Sequence, residues 1–443
     1  MTNKKYPRIL VINFDPFNTQ RNNGMTMTNL FKGWPKENLA QIYLSKLMPD
    51  NSVCENYWRL SEKSILGGML GKTTASQYKF YNSEINNLVE KQEDSIFSRI
   101  ENAAKKIDRK YTEPVREAIY RLPSILSTPM LNWIKKFNPD AVYSMLGNGP
   151  LMRLCVKISD KFSIPIIPHF TDDWISTQYN NSCFSKKLRS SMQHWMLETL
   201  KRSPIRLTIG GRMNAEYKKR YGGTFRPFVN CINLNEFNIN TIEKREAKKI
   251  KLIYIGGLHL NRWKNLQLIG QALREIEKKH KIDSELLIYT YQHDIENYKD
   301  ALNIEGFMRI VGWVENSKVP YLLVNSDITV HVESFDQEIS EYTKYSISTK
   351  IPECMMAGKA ILAFGPSEAA SIEYIKDSQC GITIMKYNLK ELEEILAAEL
   401  IDIEKLKLYG YRAKKIALEH HESKSQQTNF RKTLIESIEN FQH

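Results

Sequence analysis

Residues Ser346 to Pro366 read SISTKIPECMMAGKAILAFGP. A hydroxyl-rich loop opens a helix at Ser348 or Thr349, and Lys350 and Glu353 lie in its first turn. Ala357-Gly358-Lys359 turns the chain, and Ala360 to Phe364 is a short apolar run of the kind buried in a parallel sheet. Loop, helix, turn and strand in that order make half of a βαβ unit.

The same rhythm extends in both directions. Downstream come a helix after Pro366 and a strand at Ile382 to Ile384; upstream come strands at Leu252 to Ile255, Leu286 to Tyr289, Met308 to Val311 and Ile328 to Val332. An earlier series has strands at Arg8 to Phe14, Leu39 to Leu44, Ala141 to Ser144, Ile164 to His169 and Ile205 to Ile209, each followed by helical or turn sequence. Residues 50 to 115 break the rhythm and read as an irregular or helical insertion, and LNEFNINTIEKREAKKI near 234 to 250 reads as a linker. The expectation is an α/β protein of two doubly wound, Rossmann-like domains. They are placed at 1–235 and 245–415, with a helix over 416–443 that returns to the first domain. Ligands in such sheets bind beyond the carboxyl ends of strands, so the site is expected in a cleft that the two domains face.

Composition narrows the function. The chain has 443 residues, 42% hydrophobic and 26% charged, which suits packed globular domains and not a disordered chain. No run reaches the roughly 20 apolar residues that span a bilayer. Six cysteines without a CxxC pair suit a reducing, cytoplasmic setting and argue against a zinc site. There is no GxSxG, HExxH, Walker or GxGxxG sequence, which disfavours hydrolase, metalloprotease, P-loop and dinucleotide readings. The net charge of +13 is uneven: from Cys183 to Arg226 eleven Lys or Arg face only Glu198 and Glu216. That segment reads as solvated helix faces or as a surface for anionic membrane. No basic and aromatic interleaving points to nucleic acid.

Ser348, Thr349 and the free N–H groups of a helix start can hold a phosphate, with Lys350 as a mobile cation and Glu353 as an acceptor for a ribose diol. The same residues also read as an ordinary helix cap. A second stretch, Ile255 to Leu266, is IGGLHLNRWKNL. Gly256 and Gly257 permit close backbone approach, and Arg262 and Lys264 bring two cations to the end of a strand. In the first series, Gly24 sits in a loop that opens a helix, and His169 and Asp172 end the strand PIIPHF.

The segment STKIPECMMAGKAIL resembles the nucleotide-binding segment of GT-B glycosyltransferases, especially the large retaining family 4 that assembles bacterial polysaccharides. The resemblance implies that Lys350 approaches a donor diphosphate and Glu353 the ribose, with Arg262 and Lys264 stabilising the leaving charge. It implies acceptor positioning by His169 and by Asp172 or Asp173, and backbone N–H groups around Gly24 that face a phosphate or the acceptor. A second glutamate expected eight residues before Glu353 is Tyr345 here, leaving Glu333, Glu338 and Glu341 as replacements. The implied activity is transfer of a hexose-type sugar from a nucleoside diphosphate sugar to a hydroxyl of a lipid-linked or oligosaccharide acceptor. It implies retention, no metal and no cofactor beyond that donor. The setting would be capsule, O-antigen or exopolysaccharide synthesis at the inner face of a membrane. The alternative is a non-catalytic GT-B-like partner in a polysaccharide assembly complex.

Overall fold

A computed structural model describes residues 6–19, 22–69, 76–79, 109–239 and 249–441. The chain divides into two compact units, residues 1–228 with 427–443, and residues 229–426.

In unit 1, eight strands lie in the order β4-β3-β2-β1-β5-β6-β7-β8. They are β1 (Ile9–Asn13), β2 (Leu39–Tyr43), β3 (Asn56–Arg59), β4 (Ser76–Lys79), β5 (Ala141–Ser144), β6 (Ile166–Phe170), β7 (Ile205–Thr208) and β8 (Thr224–Pro227). All pair in parallel except β4, which runs antiparallel to β3 at the edge. Every residue of β1, ILVIN, is buried, as a central strand covered on both faces must be.

Helix ends follow local chemistry. Ser127 caps the helix Thr128–Phe137 through the N–H of Met130 at 3.4 Å, and Asn138 ends it in the left-handed region. Asn148 caps the helix Gly149–Phe162 through the N–H of Leu151 at 2.9 Å, and Pro150 stands in its first turn, where no N–H is missed. Residues 427–441 belong to this unit because Phe430 is fully buried among aromatic rings. Its centroid lies 5.0 Å from that of Phe31, 5.5 Å from Phe228 and 5.7 Å from Tyr143. Arg226 adds a bidentate pair to Glu436 at 2.7 and 2.6 Å.

In unit 2, six parallel strands lie in the order β11-β10-β9-β12-β13-β14. They are β9 (Ile250–Ile255), β10 (Ser284–Tyr289), β11 (Met308–Gly312), β12 (Ile328–Val332), β13 (Ala360–Phe364) and β14 (Gly381–Ile384). One apolar core runs under them from Leu252 through Leu273, Leu286, Val330 and Leu362 to Leu396.

Both sheets are doubly wound α/β, as the alternating sequence implies. The span 50 to 115 is not wholly an insertion, however. Its described part adds β3, the helix Glu62–Met69, β4 and the helix Arg109–Tyr120, and β3 extends the sheet beside β2. A four-residue strand such as NYWR is too short to show alternation. The remainder of that span, 70–75 and 80–108, lies outside the described residues, as do 240–248 of the linker. All six cysteines are free, and five are buried. Among the described residues no helix is long and apolar enough to cross a membrane.

Candidate functional site

The strand order of unit 2 reverses between β9 and β12. From β9 the chain winds outward to β10, and from β12 it winds the other way to β13. At such a switch point the loops beyond the strand ends diverge and leave a crevice. The loop Gly256 to Asn261 follows β9, Glu333 to Asp336 follows β12, and Lys350 and Glu353 come from the β12 to β13 crossover.

Gly256 has φ +154°, a region that disfavours residues with a Cβ. A Cβ at this position would collide with Lys350, whose side chain occupies that space. A Cβ on Gly257 would come 2.6 Å from His259 Nδ1. These glycines therefore make room for the protein's own side chains, and not only for the backbone approach to a ligand that the sequence suggests. Lys350 Nζ sits 5.0 Å from the ring centroid of Tyr254, a cation over a π-face. The loop itself is pinned: Tyr254 donates to the carbonyl of Gly257 at 2.8 Å, and the N–H of Leu258 donates to Asp294 at 2.9 Å.

Arg262 begins the helix Arg262–His280 and points its Nη2 at Glu333 Oε2, 3.4 Å away. Glu333 is 4% exposed. His331 Nε2 stands 3.1 Å from the other carboxylate oxygen. Burial pushes the Glu333 pKa up, but the charge of Arg262 and then His331 outweigh it and hold the carboxyl at about 2. Glu333 is thus a fixed anion that orients Arg262. His259, 3.3 Å from Arg262 Nη1, is depressed to about 4 by burial and then by Arg262 and Lys350.

Lys350 has no comparable partner. It is half-buried, and among the described residues its ammonium makes no ion pair. Burial first, then Arg262, lowers its pKa to about 7. Glu353 is also half-buried, and burial raises it to about 7 against the pull of Lys350. Among the described residues, a lysine without an ion pair, next to the paired Arg262 and beside the carboxyl of Glu353, forms a site that gains from a bound anion carrying hydroxyl groups.

Arg262 and Lys264 do not act on one point. Positions two apart on a helix face different sides, and Lys264 turns to Asp336 at 3.2 Å, which also accepts from Asn261. Ser348 and Thr349 are not side-chain caps. The helix is Ile351–Met356, Lys350 is its N-cap, and no side-chain cap bond forms. Pro352, second in the helix, has no N–H for such a bond. The N–H of Ser348 instead donates to Ser371 Oγ at 3.0 Å, and the Thr349 carbonyl accepts from Asn230 at 2.9 Å. Gly358 has φ +67° after the helix, the left-handed turn that AGK in the sequence implies. Of the three candidate glutamates, Glu333 lies in the charge cluster, whereas Glu338 and Glu341 are exposed on the helix Gln337–Thr343.

In unit 1 two candidates have structural roles. His169 is fully buried, with Nδ1 2.8 Å from Tyr143 Oη and Nε2 3.1 Å from the Phe228 carbonyl. Burial lowers its pKa to about 4. Both ring nitrogens are engaged, which leaves none for a substrate. Gly24 is buried in the helix Asn22–Phe31, and a Cβ there would strike the Pro16 carbonyl and Asn18, so close packing explains it. Asp172 is half-buried and accepts from Thr171 at 3.4 Å. Its neighbour Asp173 is buried in an ion pair with Arg220 at 3.0 Å and a hydrogen bond from Tyr217 at 2.8 Å. His331, His259 and Tyr254 escape a sequence reading, because nothing in their local pattern marks them as neighbours of Glu333 or Lys350.

The pKa of Glu353 carries a stability prediction. Its folded value lies above the unfolded 4.5, so its protonated form is favoured in the fold. That contribution is complete below pH 4.5 and is lost as pH rises through 7. Glu353→Gln is therefore expected to match the wild type in stability at pH 4. At pH 8 it is expected to exceed the wild type by up to about 3 kcal/mol. Thermal unfolding at the two pH values checks this, and equal stability at pH 8 contradicts it.

Residues 236–416 match the family described as glycosyl transferases group 1. No sequence among the curated proteins matches the chain. Among solved structures, the Anabaena protein HepE in complex with UDP superposes with a TM-score of 0.65 at 11% identity, covering 97% of this chain and 100% of that one. Sucrose-phosphate synthase from Thermosynechococcus elongatus gives 0.63 at 9% identity over 97% and 99%. WaaG, a glycosyltransferase involved in lipopolysaccharide biosynthesis, gives 0.53 at 11% identity over 96% and 98%. At such identities these likenesses speak for the fold, which is GT-B.

Proposed function

We propose that this chain of GT-B fold, whose residues 236–416 match the glycosyl transferases group 1 family, is a glycosyltransferase, and that the switch point of unit 2 binds a nucleoside diphosphate sugar through Lys350, Arg262 and Glu353. The observation that carries this is the half-buried, unpaired ammonium of Lys350 beside Arg262. Lys350 contacts the diphosphate, Arg262 is held toward it by Glu333, and Glu353 accepts hydrogen bonds from the ribose hydroxyls. Breaking the bond between sugar C1 and the diphosphate oxygen leaves negative charge on the diphosphate. Two preorganised cations there lower the barrier. The acceptor hydroxyl forms the new bond to C1, and its proton passes to the departing phosphate oxygen.

Transfer with retention and without a metal is part of the proposal, with Lys350 and Arg262 supplying positive charge at the leaving group. UDP is the first probe, because HepE was crystallised with it. The proposed acceptor is a hydroxyl of a lipid-linked or oligosaccharide glycan in cell-surface polysaccharide synthesis, in keeping with the pathway of WaaG. Calorimetric titration of the full chain with UDP, GDP and ADP tests donor binding: one is expected to bind, and none binding removes the proposal.

Peripheral attachment to an anionic membrane face is also proposed, on a narrower footing than the basic segment suggests. Lys201, Arg202, Arg220 and Arg226 are committed to Glu198, Asp160, Asp173, Glu216 and Glu436. Lys186, Lys187, Lys218 and Lys219 remain exposed. Vesicles rich in anionic lipid are expected to sediment the protein at low salt, and the four-fold Lys→Gln variant is expected to stay in solution. Equal sedimentation of both contradicts the assignment.

A further inference from the structure

Unit 1 holds a second concentration of positive charge, away from the residues assigned to the donor. Gly149, Arg153 and Lys157 are spaced four apart and line one face of the helix Gly149–Phe162. This helix packs against the helix Ser185–Lys201. The Arg153 guanidinium lies 5.7 Å from the ring centroid of Trp195, and its Nη1 is buried without a hydrogen-bond partner among the described residues. Arg121, just past the helix Arg109–Tyr120, donates Nη2 to Ser191 Oγ at 3.0 Å. Ser191 and Trp195 are one turn apart on the same helix, so the two guanidinium groups stand against one face of it.

The acidic groups nearby do not balance this charge. Glu117 lies 3.8 Å from Arg121 and accepts a hydrogen bond from Tyr179. Burial raises its pKa against the pull of the Tyr179 hydrogen bond and of Arg121, and Glu113, one turn earlier, adds to the rise. Burial and then the charge of Arg121 disfavour the cation of Arg153, and burial and then Arg153 disfavour that of Lys157. A guanidinium does not discharge by losing its proton, so an oxyanion relieves this arrangement. Two guanidinium forks against one helix face, with Lys157 one turn beyond Arg153, suit the tetrahedral, multiply charged oxygens of a phosphate better than a single carboxylate.

We propose that the groove between the helices Gly149–Phe162 and Ser185–Lys201 binds a phosphate or diphosphate group through Arg121, Arg153 and Lys157, with Trp195 flanking it. The site stands independently of the transferase reading. It draws on that reading only for the source of the phosphate, which is then the acceptor: a lipid-linked saccharide diphosphate or a soluble sugar phosphate.

The test uses the full chain carrying Lys350→Met, which weakens the donor site, with inorganic pyrophosphate as the probe in calorimetry. Pyrophosphate is expected to bind this variant, and addition of Arg153→Gln is expected to weaken binding at least tenfold. Gln keeps a stem of similar reach against Trp195, and an unchanged melting temperature shows that the fold survives. Lys157→Met provides a second, more exposed variant, expected to weaken binding several-fold. No binding to the Lys350→Met chain, or binding unchanged by both further substitutions, overturns the site. With binding in hand, farnesyl diphosphate and glucose 1-phosphate separate the sources: tighter binding of the prenyl compound assigns a lipid-linked acceptor, and tighter binding of the sugar phosphate a soluble one.

Discussion

Lys350→Met is expected to weaken binding of the preferred nucleoside diphosphate by about thirty- to one hundredfold, the worth of a charge-assisted contact of roughly 2 to 3 kcal/mol. Methionine keeps an apolar stem over Gly256 and Tyr254, so the loss reports the ammonium and not a cavity. The fold is expected to gain stability, because burial and Arg262 already disfavour the charge of Lys350 when no ligand is present. The pH dependence carries the sign of the effect. In the free chain Lys350 titrates at about 7, and a diphosphate beside it restores the ordinary high value. Binding then takes up protons above pH 7, and wild-type affinity falls with rising pH. The lysine-dependent part of that slope disappears in Lys350→Met. A variant that binds as tightly as the wild type, with the same pH slope, removes Lys350 from the site.

The second large effect comes from Arg262. Arg262→Met leaves Glu333 without its principal counter-charge in a buried position. Breaking a buried pair from one side costs about 3 to 5 kcal/mol. For a unit of this size that is a fall in melting temperature of about 10 °C. Turnover is expected to fall by about a hundred- to a thousandfold as a developing-charge contact is removed. Adding Glu333→Gln removes the stranded charge, so the double variant is expected to recover most of the stability and none of the turnover. That split separates the two roles of Arg262. Recovery of turnover in the double variant, or an unchanged melting temperature in the single one, contradicts the assignment.

The sequence made the fold legible where strands were long enough to show an apolar run. ILVIN, KLIYI and AILAF each announce a buried parallel strand, and each is one. It failed where an element was short or defined by a partner. NYWR in β3 and TFRP in β8 are strands because neighbours pair with them, and nothing in four residues says so. The candidate site divides along the same line. Lys350 and Glu353 were legible because they sit a few residues from the turn and strand that place them. The pairing of Arg262 with Glu333 spans 71 positions and depends on β9 and β12 being adjacent. His169 misled for a related reason: its place at a strand end fits a site, but burial between Tyr143 and Phe228 decides its role. Arg262 and Lys264 looked like one pair of cations until helical geometry turned them apart.

Hydrogen exchange of the full chain, with and without saturating amounts of the tightest binder among UDP, GDP and ADP, addresses the central claim most directly. Ligand bound at the switch point is expected to slow exchange in the segments 254–262, 333–336 and 346–354 together. Protection confined to other segments, or none at saturation, would contradict the claim that the ends of β9 and β12 form the donor site.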